Sequence, residues 1–424
     1  MYWTGLKTFY QLRRNLRMPL QVLKARQFQA LRQLVEFAYR CVPFYTKLYD
    51  ETGFSPMQLK EPDDVALIPT TRKALFQQAP LEDAIASEHD VEKLVRKRTS
   101  GSSGSPLIVY YTPEDRIYRT MLHLRILFHN GMGLRDRMAH ISDSRHSADW
   151  RYGFQKLGFL AKEFVYAADP PEKQLEVLQT INPDVIYSYA SCLVLLAAEI
   201  EKRGACPIRP KLVFTTGELL NADDRMRINR ALSVQLRDIY GIVEMGDVAW
   251  QCPALDGYHL NIDSFYVEVD ADGKPGSPGE TGRLIITNLH SRALPFIRYQ
   301  VGDIVTAPEE KPCACGCTFP LIQVLQGRAD DWLYSADGKR VSPLIFVVAS
   351  IPGVQQYRMI QKAYDHLIVE ILPGQGFTQQ TLAKAKEHVQ QVMGAGLRVA
   401  VLQVKEIPRD PSGKMRRVIS EIKK

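Results

Sequence analysis

The segment Thr99-Ser100-Gly101-Ser102-Ser103-Gly104-Ser105-Pro106 crowds hydroxyl side chains and glycines ahead of the β-branched run Leu107-Ile108-Val109. Hydroxyl and backbone N–H donors on a flexible loop suit polyphosphate oxygens and do not suit an apolar core. No Gly-Lys-Ser or Gly-Lys-Thr follows, so this is no Walker A element, and its glycines miss the G-x-G-x-x-G spacing of a dinucleotide fold. On its own the loop reads equally well as a surface turn before a strand.

Other residues have the chemistry of charge handling. Glu244 falls in a turn after the strand-like Leu236–Tyr240, where a carboxylate can reach a metal ion on phosphate oxygens; a solvated glutamate is the alternative. Asp303 follows Gly302 at the end of a strand-like run, and a carboxylate accepts two hydroxyl donors well, such as those of a ribose diol. Lys414, after Ser412-Gly413, is a point charge on a flexible stem, suited either to a phosphoryl group in transit or to solvation in a basic tail. Cys313, Cys315 and Cys317, together with Cys252 and His259, could close a Cys3His zinc site, with buried unliganded thiols as the competing reading. The polar patch His140, Ser142, Asp143, Ser144, Arg145 and His146 lacks the G-x-S-x-G elbow of a serine hydrolase and reads as a loop. Tyr187, Tyr189 and Trp250 fit an acyl pocket or a packed core.

Taken in chain order, Tyr240-Gly241-Ile242-Val243-Glu244, Arg298-Tyr299-Gln300-Val301-Gly302-Asp303, Gly327-Arg328-Ala329-Asp330-Asp331 and Pro408-Arg409-Asp410-Pro411-Ser412-Gly413-Lys414 resemble the core motifs of the adenylate-forming superfamily of acyl- and aryl-CoA ligases. Within it the chain is similar to the phenylacetate-CoA ligase-like branch, which also holds capsule-locus and coenzyme F390 synthetase-like proteins. Leu34–Tyr45 and Gly257-Tyr258-His259-Leu260 extend the likeness over nearly the whole chain.

The resemblance implies a role for each position. Ser100, Ser102, Ser103 and Gly104 would hold the triphosphate, Glu244 the magnesium ion, and Asp303 the ribose, while Tyr240 and Gly241 border the adenine and Arg328 adds a nucleotide contact. Thr216, Gly217 and Glu218 resemble the family's Gly-Ala-Glu segment at the adenine pocket, although Thr216 precedes the glycine and no alanine follows it. Lys414 would serve adenylation and be withdrawn when a small C-terminal domain rotates about a hinge at Asp331. Cys252, His259, Cys313 and Cys315 resemble a structural metal site of this branch, whose pattern commonly reads Cys-x-Cys-Gly-Arg. Here Cys317 stands in place of the arginine, and whether it replaces a ligand, supplements the site or stands by is open. The implied activity joins a small carboxylic acid to AMP from ATP with Mg2+, releasing pyrophosphate, and then passes the acyl group to coenzyme A. The alternatives are an amine or a carrier-protein thiol acting in trans as acceptor, or a nucleotide-binding relative without catalysis.

These residues need elements to position them. Residues 1–85 read as mostly helical, Asp115–Phe128 as a further helix, and 184–240 as strands alternating with helices, an α/β layer with ligands at strand C-termini. Phe265–Ile304 is split by Asp270-Ala271-Asp272-Gly273 and Pro278-Gly279-Glu280-Thr281-Gly282 into short strands, a β-rich part. Segments 341–349, 366–372, 380–392 and 397–404 give a small α+β unit. The expected fold class is α/β: a large adenylation domain over 1–330 with a β-rich part, and a small mobile α+β domain over 331–424.

The bulk properties agree. At 424 residues two or three domains are expected, and 45% apolar with 24% charged residues is ordinary for a globular chain. Lys7, Arg13, Arg14, Arg17, Lys24, Arg26 and Arg32 precede the first acidic residue, Glu36, yet no nucleic-acid motif accompanies them. No apolar run approaches about 18 residues, so no integral membrane segment is expected, and the seven unevenly placed cysteines argue against a secreted disulfide framework. A cytoplasmic location follows as an expectation, and a homodimer is compatible with the sequence.

Overall fold

The computed structural model describes residues 2–99, 106–142, 155, 157–323, 325–328, 332–335, 337–343, 346–394, 396–409 and 414–422. The chain divides into two compact units, each built from two stretches: Met1–Asn130 with Ile239–Leu325, and Gly131–Asp238 with Gln326–Lys424.

The first unit begins with the expected helices. Leu20–Cys41 buries Leu23, Leu31, Leu34, Val35, Phe37 and Ala38, a stripe at helical spacing. The helix stops at Val42, held extended ahead of Pro43, and Pro43 then opens the helix Pro43–Thr52. The helix Pro113–His129 starts on a reciprocal cap between Thr112 and Asp115. It carries the fully buried Arg125, whose guanidinium donates to Asp263 at 2.6 and 3.2 Å and to Asn261 at 2.7 Å. A buried guanidinium is tolerated where its charge is paired with a carboxylate in this way.

The β-rich part of this unit is a sheet in the order Thr71–Arg72, Tyr299–Thr306, Thr281–Asn288, Phe265–Ala271, Lys274–Pro275. Its pairs are antiparallel except the first, which is parallel. Gly282 lies where a Cβ would meet the Asp270 carbonyl at 2.5 Å, so only glycine allows this approach of the two strands. Gly246–Gln251, Tyr258–Leu260 and Leu321–Ile322 form a further antiparallel set.

The second unit supplies the parallel layer. Lys162–Tyr166, Met138–Ser142, Val185–Ser188 and Leu212–Thr216 pair side by side in that order, all parallel. Helices Pro171–Ile181, Ala190–Arg203 and Ala222–Leu232 bury Leu175, Leu178, Leu193, Leu196 and Ile228 against it.

The C-terminal residues of the same unit make a four-stranded sheet with a helix and a core of their own. Arg398–Gln403 pairs with His366–Pro373, which pairs with Val354–Ala363, which pairs with Val418–Ser420. The helix Gln379–Met393 adds Ala385, Val389 and Met393 to a core with Tyr357, Met359 and Val369. The α/β class, the β-rich part and the small C-terminal α+β fold are all present. Two details differ from expectation. Val354–Ala363 is a ten-residue strand in a stretch between the expected segments, and 341–349 is not one element but the short strand Arg340–Val341 followed by a turn of 3-10 helix at Val348–Ser350.

Candidate active site

In the first unit, the turn between Arg237–Ile242 and Gly246–Gln251 carries Glu244. The two strands shift register between Tyr240 and Gly241, and a Cβ on Gly241 would meet the Gly246 carbonyl at 3.0 Å, so glycine is required for the tight return. Arg119 clasps the turn by donating to the Val243 carbonyl at 2.6 Å, and its burial lowers the affinity of the guanidinium for its proton. The Tyr299 hydroxyl donates to Glu244 Oε1 at 3.1 Å. One strand position onward, Asp303 follows Gly302 and accepts a hydrogen bond from the Tyr240 hydroxyl. Tyr240, Glu244, Tyr299 and Asp303 thus form two hydroxyl–carboxylate pairs on neighbouring parts of one unit.

The same unit gathers the sulfur ligands. Cys252 lies just past the strand Gly246–Gln251, His259 sits on Tyr258–Leu260, and Cys313 and Cys315 lie on a turn closed by the Gly316 N–H to the Cys313 carbonyl at 2.9 Å. Their four ligand atoms all lie within 4.8 Å of one another. Cys252 Sγ is 3.5 Å from Cys313 Sγ, and Cys315 Sγ is 3.3 Å from His259 Nε2. His259 Nδ1 donates to the Phe319 carbonyl at 3.1 Å, which fixes the ring with Nε2 toward the sulfurs. The Cys315 hydrogen bond draws the Cys252 thiol well below its ordinary pKa against its burial, with His259 and Cys313 adding to it. Burial opposes a charge on His259, yet the Cys252 and Cys317 sulfurs raise it to about 11. Three soft sulfurs and one imidazole at this spacing fit a tetrahedral zinc ion. Cys317 is outside the four; its backbone N–H points at Cys315 Sγ, 3.4 Å away, a supporting contact to a ligand.

In the second unit, the strand Leu212–Thr216 ends in Thr216-Gly217-Glu218, beside the start of the helix Ala190–Arg203. The Glu218 carboxylate accepts the Ser191 N–H at 2.7 Å, the Ser191 hydroxyl at 2.9 Å and the Met415 N–H at 2.7 Å. Burial raises its pKa, and these donors act against that rise. The Lys414 ammonium lies 5.2 Å from the centre of the Tyr189 ring. Gly217 has φ of +72°, and a Cβ there would come within 3.0 Å of Lys414 Nζ. The lysine therefore occupies space that any other residue at 217 would fill.

Several expected positions lie outside the described residues: Ser100, Ser102, Ser103, Gly104 and Asp331, together with Asp143, Ser144, Arg145 and His146. The strands flanking the serine-rich loop, Val95–Arg98 and Ile108–Tyr111, pair antiparallel and are closed by the Thr99 N–H to the Leu107 carbonyl at 2.9 Å. Arg328 ends the strand Leu325–Arg328.

Residues 333–421 match the family model of the CapK C-terminal domain. The chain is 28% identical to the phenylacetate-coenzyme A ligase of Thermus thermophilus, over 95% of this chain and 97% of that one. It is 29% identical to the phenylacetate-coenzyme A ligase of Escherichia coli, over 73% and 72% of the two chains. The fold matches the crystal structure of 2-hydroxyisobutyryl-CoA ligase in its postadenylation state with a TM-score of 0.81, at 22% identity over 96% of this chain and 91% of that one. Along nearly its whole length the chain is similar to phenylacetate-coenzyme A ligases.

The sequence hid several neighbours of these candidate residues. Ser191 and Met415 reach Glu218 through one hydroxyl and two backbone N–H groups, and a backbone donor leaves no mark on residue type. Tyr299 stood in the Arg298–Asp303 motif without a role of its own, and Arg119 was visible only as a helical basic residue. Trp250 is fully buried, donates to Asn261 at 2.8 Å and packs its ring 5.0 Å from His259, so it belongs to the core behind the sulfur cluster and not to a pocket wall. Among the described residues, no helix is long and apolar enough to cross a membrane.

Proposed function

We propose that this protein activates a small carboxylic acid with ATP and Mg2+, releasing pyrophosphate, and then transfers the acyl group from the acyl-adenylate to coenzyme A. The observation that carries the reading is the seat of Lys414: a lysine from the C-terminal motif rests against Gly217 and Tyr189, at the end of a strand of the parallel layer. In this reading the acid's carboxylate oxygen attacks the α-phosphorus of ATP, the bond to the bridging oxygen breaks, and pyrophosphate leaves. Lys414 stabilises the charge that develops, Asp303 accepts the ribose hydroxyls once the Tyr240 hydroxyl yields, and Glu244 ligates the magnesium ion. No protein nucleophile is required; positioning and electrostatics supply the rate.

The likeness to phenylacetate-coenzyme A ligases supports coenzyme A as the acceptor and a small aryl or acyl acid as the substrate. The CapK C-terminal match over 333–421 favours a second reading, in which the same adenylate passes to an amine or a carrier-protein thiol in trans. We assign Cys252, His259, Cys313 and Cys315 to a structural zinc ion, which would tie the strands Gly246–Gln251 and Tyr258–Leu260 to the turn at 313–317, with Cys317 supporting Cys315. Hinge rotation at Asp331 and a cytoplasmic setting complete the proposal.

The test is pyrophosphate release with ATP and Mg2+ over a panel of aryl, short acyl, long acyl and amino acids, without and with coenzyme A, repeated on Lys414→Ala. Acid-dependent release that the variant abolishes supports the reading. Demonstrable ATP binding with no release across the panel counts for a nucleotide-binding relative without catalysis.

A further inference from the structure

We infer that Glu218 is a positioning residue that docks Lys414 for the adenylation step, acting through the backbone N–H of Met415. This rests on the adenylation reading above and gives the Thr216-Gly217-Glu218 segment a task besides bordering a nucleotide.

Both carboxylate oxygens of Glu218 are engaged within the protein. Oε2 takes the Ser191 N–H at 2.7 Å, and Oε1 takes the Ser191 hydroxyl at 2.9 Å and the Met415 N–H at 2.7 Å. Met415 directly follows the lysine, so this bond sets where the Lys414 Cα lies and from which side its stem approaches. Gly217 gives room without attraction, and the Tyr189 ring face attracts a cation over a broad area. The Glu218–Met415 bond, by contrast, is directional and charge-assisted.

The arrangement also suits a lysine that must leave. Two of the three donors on Glu218 come from Ser191, which sits at the start of the helix Ala190–Arg203 and does not belong to the C-terminal part. When Met415 withdraws, the carboxylate keeps both Ser191 donors and the helix N-terminus behind it, so release strands no unpaired charge. Ser191 meets the C-terminal part a second time, its carbonyl accepting from Gln356 Nε2 at 3.2 Å. Ser191 thus bonds two separate points of the C-terminal part, at Met415 through Glu218 and at Gln356 directly.

The test uses the full chain carrying Glu218→Gln, with Glu218→Asp as a second variant that keeps the charge beside Ser191 but falls short of Met415. The first readout is amide hydrogen exchange of the segment 414–417, which needs no substrate. Both variants should speed exchange at Met415 by about tenfold or more while the helix Ala190–Arg203 exchanges as in the parent protein. The second readout uses phenylacetate as the acid probe. ATP–pyrophosphate exchange should fall about tenfold in kcat with KM for ATP nearly constant, and thioester formation from supplied phenylacetyl-adenylate and coenzyme A should persist. Unchanged exchange at Met415 overturns the assignment. So does a higher KM for ATP with kcat held, which would make Glu218 a nucleotide ligand alone. If the parent protein shows no phenylacetate-dependent exchange, that result counts against the aryl-acid form of the activity, and the amide measurement still decides for or against Glu218.

Discussion

In the unit that carries Glu244 and Asp303, the reactive carboxylates stand on or between paired strands and are met side chain to side chain, by Tyr299 and Tyr240. In the unit that carries Lys414, the reactive amine stands on irregular chain and is fixed from behind, by one backbone N–H on Glu218 and by the empty space at Gly217. Glu244 sits on the turn between two paired strands, and Asp303 on a strand whose pairing shifts register beside it. Lys414 is placed by polar contacts to chain outside its own segment. The contrast is between carboxylates placed by a sheet and an amine placed by hydrogen bonds to its neighbour in sequence.

The largest effect that sharpens this contrast is expected from Lys414→Ala. Pyrophosphate formation should fall by about 10²–10³, while the melting temperature stays within about 2 °C because the side chain is not part of either core. A larger loss of stability, measured by calorimetry, would make the lysine a structural member of its unit and break the comparison.

Removing the metal should come next and should act on the other unit. Treatment with a strong chelator, or Cys252→Ser, is expected to lower the melting temperature by several degrees and to release about one zinc per chain. Freshly purified protein without zinc by elemental analysis would refute that assignment. Third, Asp303→Asn should raise KM for ATP by about tenfold with kcat less affected, since it removes the anionic acceptor for the ribose hydroxyls. Smallest, Tyr240→Phe should change KM for ATP by no more than about threefold, because its hydroxyl bonds Asp303 only until the ribose replaces it. Equal effects from the last two variants would mean that Tyr240 itself is a nucleotide contact.

Much of this was legible in the sequence. Helical spacing of Leu31, Leu34, Val35 and Ala38, the turn signals at Asp272-Gly273 and Pro278-Gly279, and the alternation from Val185 to Ile239 each produced the element they indicated. The sulfur cluster was legible because three cysteines and a histidine are rare enough to mark their own site. Val354–Ala363 was not, and its chemistry explains why: the strand presents Gln355, Gln356, Arg358, Gln361 and Lys362, which mimic a solvated connection. Gln361 is nevertheless fully buried, its amide donating to the Tyr334 carbonyl and accepting the Tyr334 N–H at 2.8 Å. Polar side chains satisfied by backbone far along the chain carry no periodic signal. The role of Glu218 was obscured for the same reason, since two of its three donors are main-chain groups.

The interleaved course of the chain sets the order in which the protein can mature on the ribosome. Arg125 is made early, but the carboxylate that neutralises it, Asp263, is 138 residues downstream. At about 5–20 residues per second that interval is on the order of ten seconds. Throughout it the whole of Gly131–Asp238 is threaded out, and a guanidinium without its carboxylate stays in water. The helix Pro113–His129 therefore cannot seal its inner face until the strand pair around Asp263 has emerged. A translational pause in that window would leave a nascent chain with an open apolar stripe, a substrate for chaperones well before it is an enzyme.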